Sequence, residues 1–229
     1  MSKVLAKGVI LGALAMGAAA GPAFAQDGET GIRAGDVLLR ARAIMVAPNE
    51  KSGSVLPAFP GEKVSMDNSI MPEVDVTYMA TDNIGFELIA STTKHDASGR
   101  TGTTGSIGKL ASTWVLPPTL TAQYHFAPRS AVRPYVGAGL NYTIFWNEDA
   151  SGGLEAAVGK TSVHMKDSFG WAAQAGIDVD VTPRLFVNID VKYIDIDTTA
   201  RLKTTAAGTQ RVRVNIDPLV FGIDLGFRL

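Results

Sequence analysis

Apolar side chains occupy every second position through eight segments of this chain, and each segment runs for about ten residues or longer. A period of two is the mark of a β-strand whose faces meet different surroundings. The apolar parity is Val37, Leu39, Ala41, Ala43 and Met45 in the first segment and Val74, Val76, Tyr78 and Ala80 in the second. It is Ile84, Phe86, Leu88 and Ala90 in the third and Trp114, Leu116, Leu120, Ala122, Tyr124 and Phe126 in the fourth. It continues from Val136 to Trp146, from Phe169 to Val181, from Leu185 to Tyr193 and from Leu219 to Leu229. Soluble strands usually stop after about five or six residues. Segments of this length suit tilted strands that cross a bilayer.

The connections alternate in length. Those at 80–83, 127–133 and 182–184 are short, whereas 49–65, 94–110, 147–165 and 199–210 are long, polar and rich in Gly, Ser and Thr. An even number of antiparallel strands puts the short turns at one end and the long loops at the other, which is the layout of an outer-membrane barrel. The apolar stripes end in aromatics: Trp114, Trp146, Trp171 and Tyr193 toward the loops, and Tyr78, Phe86, Tyr124, Phe126 and Phe227 toward the turns. Such rings suit the two membrane interfaces, where one edge is apolar and the other wet. A soluble sandwich or lipocalin-type barrel would have to turn all eight stripes inward, where they could hardly fit.

Residues 1–25 read as a separate element. Lys3 and Lys7, an apolar run from Gly8 to Ala20, and Ala23-Phe24-Ala25 form a secretory signal peptide with its cleavage site. The expected mature chain is a single barrel over 26–229 with four long extracellular loops. Losing those two lysines takes the balance of 21 basic and 22 acidic residues from −1 to −3. No basic field remains to attract a nucleic acid. With no cysteines, the exported chain must be held by packing and hydrogen bonds alone.

Six stretches, "VTYMATDNIGFELIA" (76–90), "LPPTLTAQYHF" (116–126), "RPYVGAGLNYTIFW" (133–146), "KDSFGWAAQAGIDVDV" (166–181), "YIDIDTTA" (193–200) and "DPLVFGIDLGFRL" (217–229), resemble the OmpW family of bacterial outer-membrane proteins. The resemblance spreads over most of the mature chain. It implies an eight-stranded, monomeric, all-β barrel in a Gram-negative outer membrane, with a narrow and largely apolar channel associated with uptake of small hydrophobic molecules. Membrane lipids, lipopolysaccharide and a small hydrophobic ligand are the expected partners, with phage or bacteriocin contacts open to the loops.

Taking the polar parity as inward, the lower lumen should hold Arg40, Arg42, Glu73, Asp75, Glu87, Asp178, Asp180, Asp190, Asp224 and Arg228. An eight-stranded barrel is only wide enough for side chains or one small ligand. Charges of mixed sign there should pair and plug the periplasmic end. Toward the loops the inward parity turns apolar: Ile89, Phe145, Ile194, Ile196, Val212, Val214 and Ile216. Their outward neighbours include Asp195, Asp197, Arg211 and Arg213. In "LFVNIDVKYIDID" (185–197) the oily parity swaps at Tyr193. The expectation is that no side chain changes face there. Lipid gives way to water outside, and an oily cup opens inside.

Two other classes carry less. A catalytic barrel would need a nucleophile and base, and His95, His125 and His164 stand in no triad or metal spacing; no catalysis, cofactor or metal is expected. Asp195 and Asp197 share a face but lack a third ligand. A structural or adhesive barrel of OmpA or OmpX type would work through its loops, yet would have no need of an apolar inner parity above the membrane.

Overall fold

A computed structural model describes residues 30–229; the expected signal peptide lies outside the described residues. The strands are β1 (Val37–Ala47), β2 (Lys51–Ser52), β3 (Val64–Met66), β4 (Ser69–Met79), β5 (Ile84–Ser91), β6 (Thr93–Gly99), β7 (Lys109–Leu116) and β8 (Thr119–His125). They continue with β9 (Val132–Ala150), β10 (Thr161–Met165), β11 (Ser168–Asp180), β12 (Leu185–Ile194), β13 (Asp197–Thr204), β14 (Gly208–Asn215) and β15 (Leu219–Arg228). Two short helices, α1 (Gly102–Ile107) and α2 (Gly152–Val158), lie between them. Among the described residues no helix is long and apolar enough to cross a membrane.

Eight strands close on themselves. β1 pairs antiparallel with both β4 and β15, and the ring runs β1-β4-β5-β8-β9-β11-β12-β15. Closure leaves no unpaired edge, which lipid requires of any spanning sheet. The faces are inverted relative to a soluble protein. Ile70, Leu120, Leu140, Phe169, Trp171, Ile189, Ile223 and Leu225 are exposed, while Arg40, Glu87, Arg133, Asp178 and His125 are fully buried. The oily face therefore belongs to lipid.

Ring contacts tie the girdles together: Trp114 with Trp146 at 5.7 Å and Trp171 with Tyr193 at 5.1 Å near the loops, Tyr124 with Phe126 at 5.3 Å near the turns. Inward glycines make room for the lumen's large side chains. A Cβ at Gly176 would strike the Tyr135 ring, and one at Gly226 the Phe186 ring. The fully buried Arg40 lies 5.8 Å from the first ring and 5.4 Å from the second.

The four long connections are not plain loops. They hold β2, β3, β6, β7, β10, β13, β14 and both helices. Above the ring these strands form two sheets, β3-β6-β7 with the upper part of β9, and β10-β13-β14-β2. Scattered apolar residues such as Val55, Val64, Met66, Leu154, Val158 and Met165 pack these sheets and α2 into one core. Polar composition concealed that structure.

In the stretch 185–197 the even side chains stay buried from Phe186 through Ile196, so parity is continuous. The ladder itself is interrupted at Asp195 and Ile196. There the Asp195 amide donates to the Trp171 carbonyl, and the Ile196 amide to the Asp217 carboxylate.

Candidate functional site: a lumen of two media

Going up the inside of the barrel, three strands change from charged to apolar side chains. Arg42 is followed by Ile44 on β1, Glu87 by Ile89 on β5 and Lys192 by Ile194 on β12. All six are buried. Below that plane the lumen is charged, and above it is apolar.

Two guanidinium groups centre the lower part. Arg42 sits among five carboxylates, with contacts of 3.1 Å to Glu73, 2.8 Å to Asp75, 3.5 Å to Glu87, 3.5 Å to Asp190 and 3.3 Å to Asp224. Arg40 reaches Asp75 at 3.0 Å, Glu87 at 3.5 Å and Asp178 at 3.5 Å, and donates to Thr77 at 2.8 Å. Register explains three of these pairs, since Arg40 faces Asp75, Arg42 faces Glu73, and on the other side Arg42 faces Asp224; the 2.8 Å contact of Arg42 with Asp75 is diagonal. Neutral groups extend the mesh: Gln174 donates to Glu87 at 2.8 Å, Thr121 to Glu87 at 3.0 Å, and Asn188 to Asp178 at 2.7 Å.

Asp180 and Arg228 lie at the rim rather than in that centre. Asp180 receives Arg133 at 2.6 Å and the Gly31 amide at 2.9 Å. Arg228 is half-buried and donates to the Pro183 carbonyl in the last turn. Sequence reasoning missed two buried cations of this mesh, Arg133 and Lys192.

Above the plane, Ile89, Ile194, Ile196 and Ile216 line a narrow cavity of about 40 Å³. Phe145, Val212 and Val214 are buried in the surrounding core without lining it. The lining also contains Ile44, Val46, Met66, Val115, Pro117, Pro218 and Val220. Its polar members are Glu73, Lys192, Ser91, Thr93, His95 and Thr119. The volume has room for about three or four waters at roughly 10–15 Å³ each.

His95, on β6 in the connection 94–110, is a wall residue of this cavity. Its ring nitrogens lie 3.0 Å from the Asp67 carbonyl and 3.0 Å from the Thr93 hydroxyl. Burial holds its pKa below the ordinary histidine value, with the Asp67 carbonyl pulling the other way. The fold therefore favours the neutral ring, and the cup wall carries no charge from it above the ordinary histidine range. His125 lies in the lower lumen, 3.2 Å from Gln123, and His164 is exposed, 3.6 Å from Glu148. The three histidines are thus spread over three environments.

One unzipped place in the wall lies beside Pro117-Pro118. β5 and β8 pair up to Ile89 opposite Thr119, and β6 and β7 resume with Thr93 opposite Val115. Between them Ala90, Ser91 and Thr92 face Leu116, Pro117 and Pro118 with no cross-strand pair. Proline offers no N–H to a ladder, and the buried Thr92 hydroxyl has no hydrogen-bond partner. Pro117 also lines the cavity.

An inside-out ring of eight strands with a charged lower lumen and an apolar upper one can be compared with known proteins. The family model described as the OmpW family matches residues 33–229. The chain belongs to the OmpW family. It is 40% identical over 210 residues to outer membrane protein W of Escherichia coli (strain K12), covering 91% of this chain and 92% of that protein. The Vibrio cholerae protein of the same name is 39% identical over 197 residues, covering 85% and 88%. Among solved structures, OprG from Pseudomonas aeruginosa superposes with a TM-score of 0.81 at 33% identity, over 87% of this chain and 98% of that one. AlkL, solved in lipid bilayers, has a TM-score of 0.65 at 21% identity, over 88% and 93%, and supports the fold alone. This OmpW-family barrel is a protein of the bacterial outer membrane.

Proposed function

We propose that this barrel receives small hydrophobic molecules in its extracellular cup and passes them across the outer membrane. The observation that carries the reading is the change of medium inside the lumen. A narrow apolar cavity stands directly on a layer of ion pairs, and apolar pockets with few polar groups are the usual form of a small-molecule site. A purely structural barrel has no need of it.

The charged layer acts as a floor. Passing an apolar molecule through it would break ion pairs at low dielectric, at several kcal/mol for each group left uncompensated. Exit sideways at Pro117-Pro118 avoids that cost, because no ladder bonds close the wall there and lipid lies outside. In planar bilayers the purified barrel should show small or no steady ion conductance. A large water-filled conductance would remove the floor from the mechanism.

The exit is tested by stitching the gap. Register places Thr92 opposite Leu116, so cysteines at both positions can be cross-linked. Cross-linking should reduce delivery of a fluorescent alkane analogue into proteoliposome bilayers by at least about tenfold, while binding at the cup persists. Delivery at the uncross-linked rate would rule out lateral release.

A further inference from the structure

Lys192 is a cation of the charged floor whose hydrogen-bond donors the floor leaves unused. Its side chain is 2% exposed, and its Nζ makes no hydrogen bond to any described residue. Its nearest carboxylate oxygen is Glu73 Oε1 at 4.0 Å, beyond bonding reach, and the same oxygen is held by Arg42 at 3.1 Å. Lys192 also lines the cavity, at its floor, one inward position below Ile194. A buried ammonium with three unused donors is costly. It costs less when an acceptor in the cavity meets it.

The other polar groups of the lining are largely spoken for. Thr93 is bonded to His95, Thr119 accepts from Asn141 at 2.9 Å, and Glu73 is paired with Arg42. Of the lining's hydroxyls, that of Ser91 alone has no hydrogen bond among the described residues. The rest of the cavity is aliphatic, with isoleucine, valine and proline predominating. One donor at the foot of an oily cup defines a ligand with an apolar body and one accepting end.

The charge of that end follows from the surroundings. Below the cavity, Arg40, Arg42, Arg133 and Lys192 face Glu73, Asp75, Glu87, Asp178, Asp180, Asp190 and Asp224. Carboxylates already outnumber cations, so a further anion would meet net repulsion at low dielectric. Resting on the cup reading above, we propose that Lys192 anchors an uncharged oxygen of an otherwise apolar ligand. The ligand class is a singly oxygenated hydrocarbon, such as a fatty alcohol, aldehyde, ketone or ester.

Equilibrium binding of n-decane, 1-decanol and decanoic acid to the full barrel in phosphatidylcholine nanodiscs tests this. Hydrogen bonds to charged groups contribute about 1.5–3 kcal/mol, so 1-decanol should bind about tenfold or more tighter than decane. In Lys192→Met that ratio should fall close to one with decane binding retained; partitioning into lipid is common to both variants and cancels. An unchanged ratio in the variant, or decanoic acid outcompeting 1-decanol on the native barrel, overturns the assignment. Should the methionine variant not fold, the Lys192 side-chain NMR resonance of the native protein gives the answer: it shifts with 1-decanol and not with decane, and equal response or none refutes the contact. If decane binds and 1-decanol binds no better, the cup survives and the Lys192 role falls. Failure of both to bind removes the cup as well.

Discussion

Arg42→Met should destabilise the barrel by about 3–5 kcal/mol, the usual result of removing one partner from a buried ion group. Five carboxylates lie within 3.5 Å of that guanidinium, and all five are buried once the strands have closed. Urea unfolding followed by tryptophan fluorescence in lipid would measure the loss. Two further variants separate charge from packing. Adding Glu73→Gln, Asp190→Asn and Asp224→Asn to Arg42→Met should recover much of the stability, because neutralising a whole buried ion group is often nearly free. Arg129→Ala, which breaks an exposed 2.6 Å pair with Asp82 in a turn, should cost no more than ~1 kcal/mol. A loss below ~1 kcal/mol for Arg42→Met would mean that the lower lumen is not held by this residue.

Ile194→Asp should abolish binding of an apolar ligand, with at least about a hundredfold loss of affinity, and leave the barrel folded. Ile194 is buried in the cavity wall, directly above Lys192 on the inward face. A carboxylate there would take water into the cup and compete for the ammonium below, so both ends of the site are lost together. Pairing with Lys192 would also soften the folding penalty. The outward neighbour offers the control: Asp195→Asn alters the opposite face and should leave affinity within about twofold. Native affinity in Ile194→Asp would sink the cup as the binding site.

The sequence made some of this legible and hid the rest for physical reasons. Strands were visible wherever two different solvents met them, as in Ile177, Asp178, Val179 and Asp180. Where both sides are apolar the alternation vanishes. That is why "AIMVA" at 43–47 concealed the inward-facing Ile44 and Val46, and why Val220 passed unnoticed beside Leu219 and Phe221. Lys192 stood in plain sight on the inward parity of β12, but its nearest carboxylate, Glu73, is on β4, with β15 and β1 between them in the ring. No spacing along the chain encodes a contact across a lumen. Arg133 was read as the end of a connection, although it is the second residue of β9 and faces Asp178 in register. Most of the upper sheets was missed because its apolar residues come singly; a period of two shows at Val212 and Val214 on β14, and only the assembled cup makes the rest a core.

The aromatic rings fix a length as well as a position. On β12, eight steps separate Tyr193 at the outer girdle from Leu185, which pairs with Phe227 at the inner one. At ~3.3 Å per residue and a tilt of roughly 40°, that stretch of β12 rises about 20 Å. On β9 twelve steps separate Trp146 from Pro134, whose carbonyl accepts from the Phe126 amide, and they rise about 30 Å. The oily belt is therefore uneven, matching the ~30 Å hydrocarbon core of an ordinary bilayer on one side and falling short of it on the other. Each ångström of mismatch costs a fraction of a kcal/mol, so lipid thins beside β12 more than beside β9.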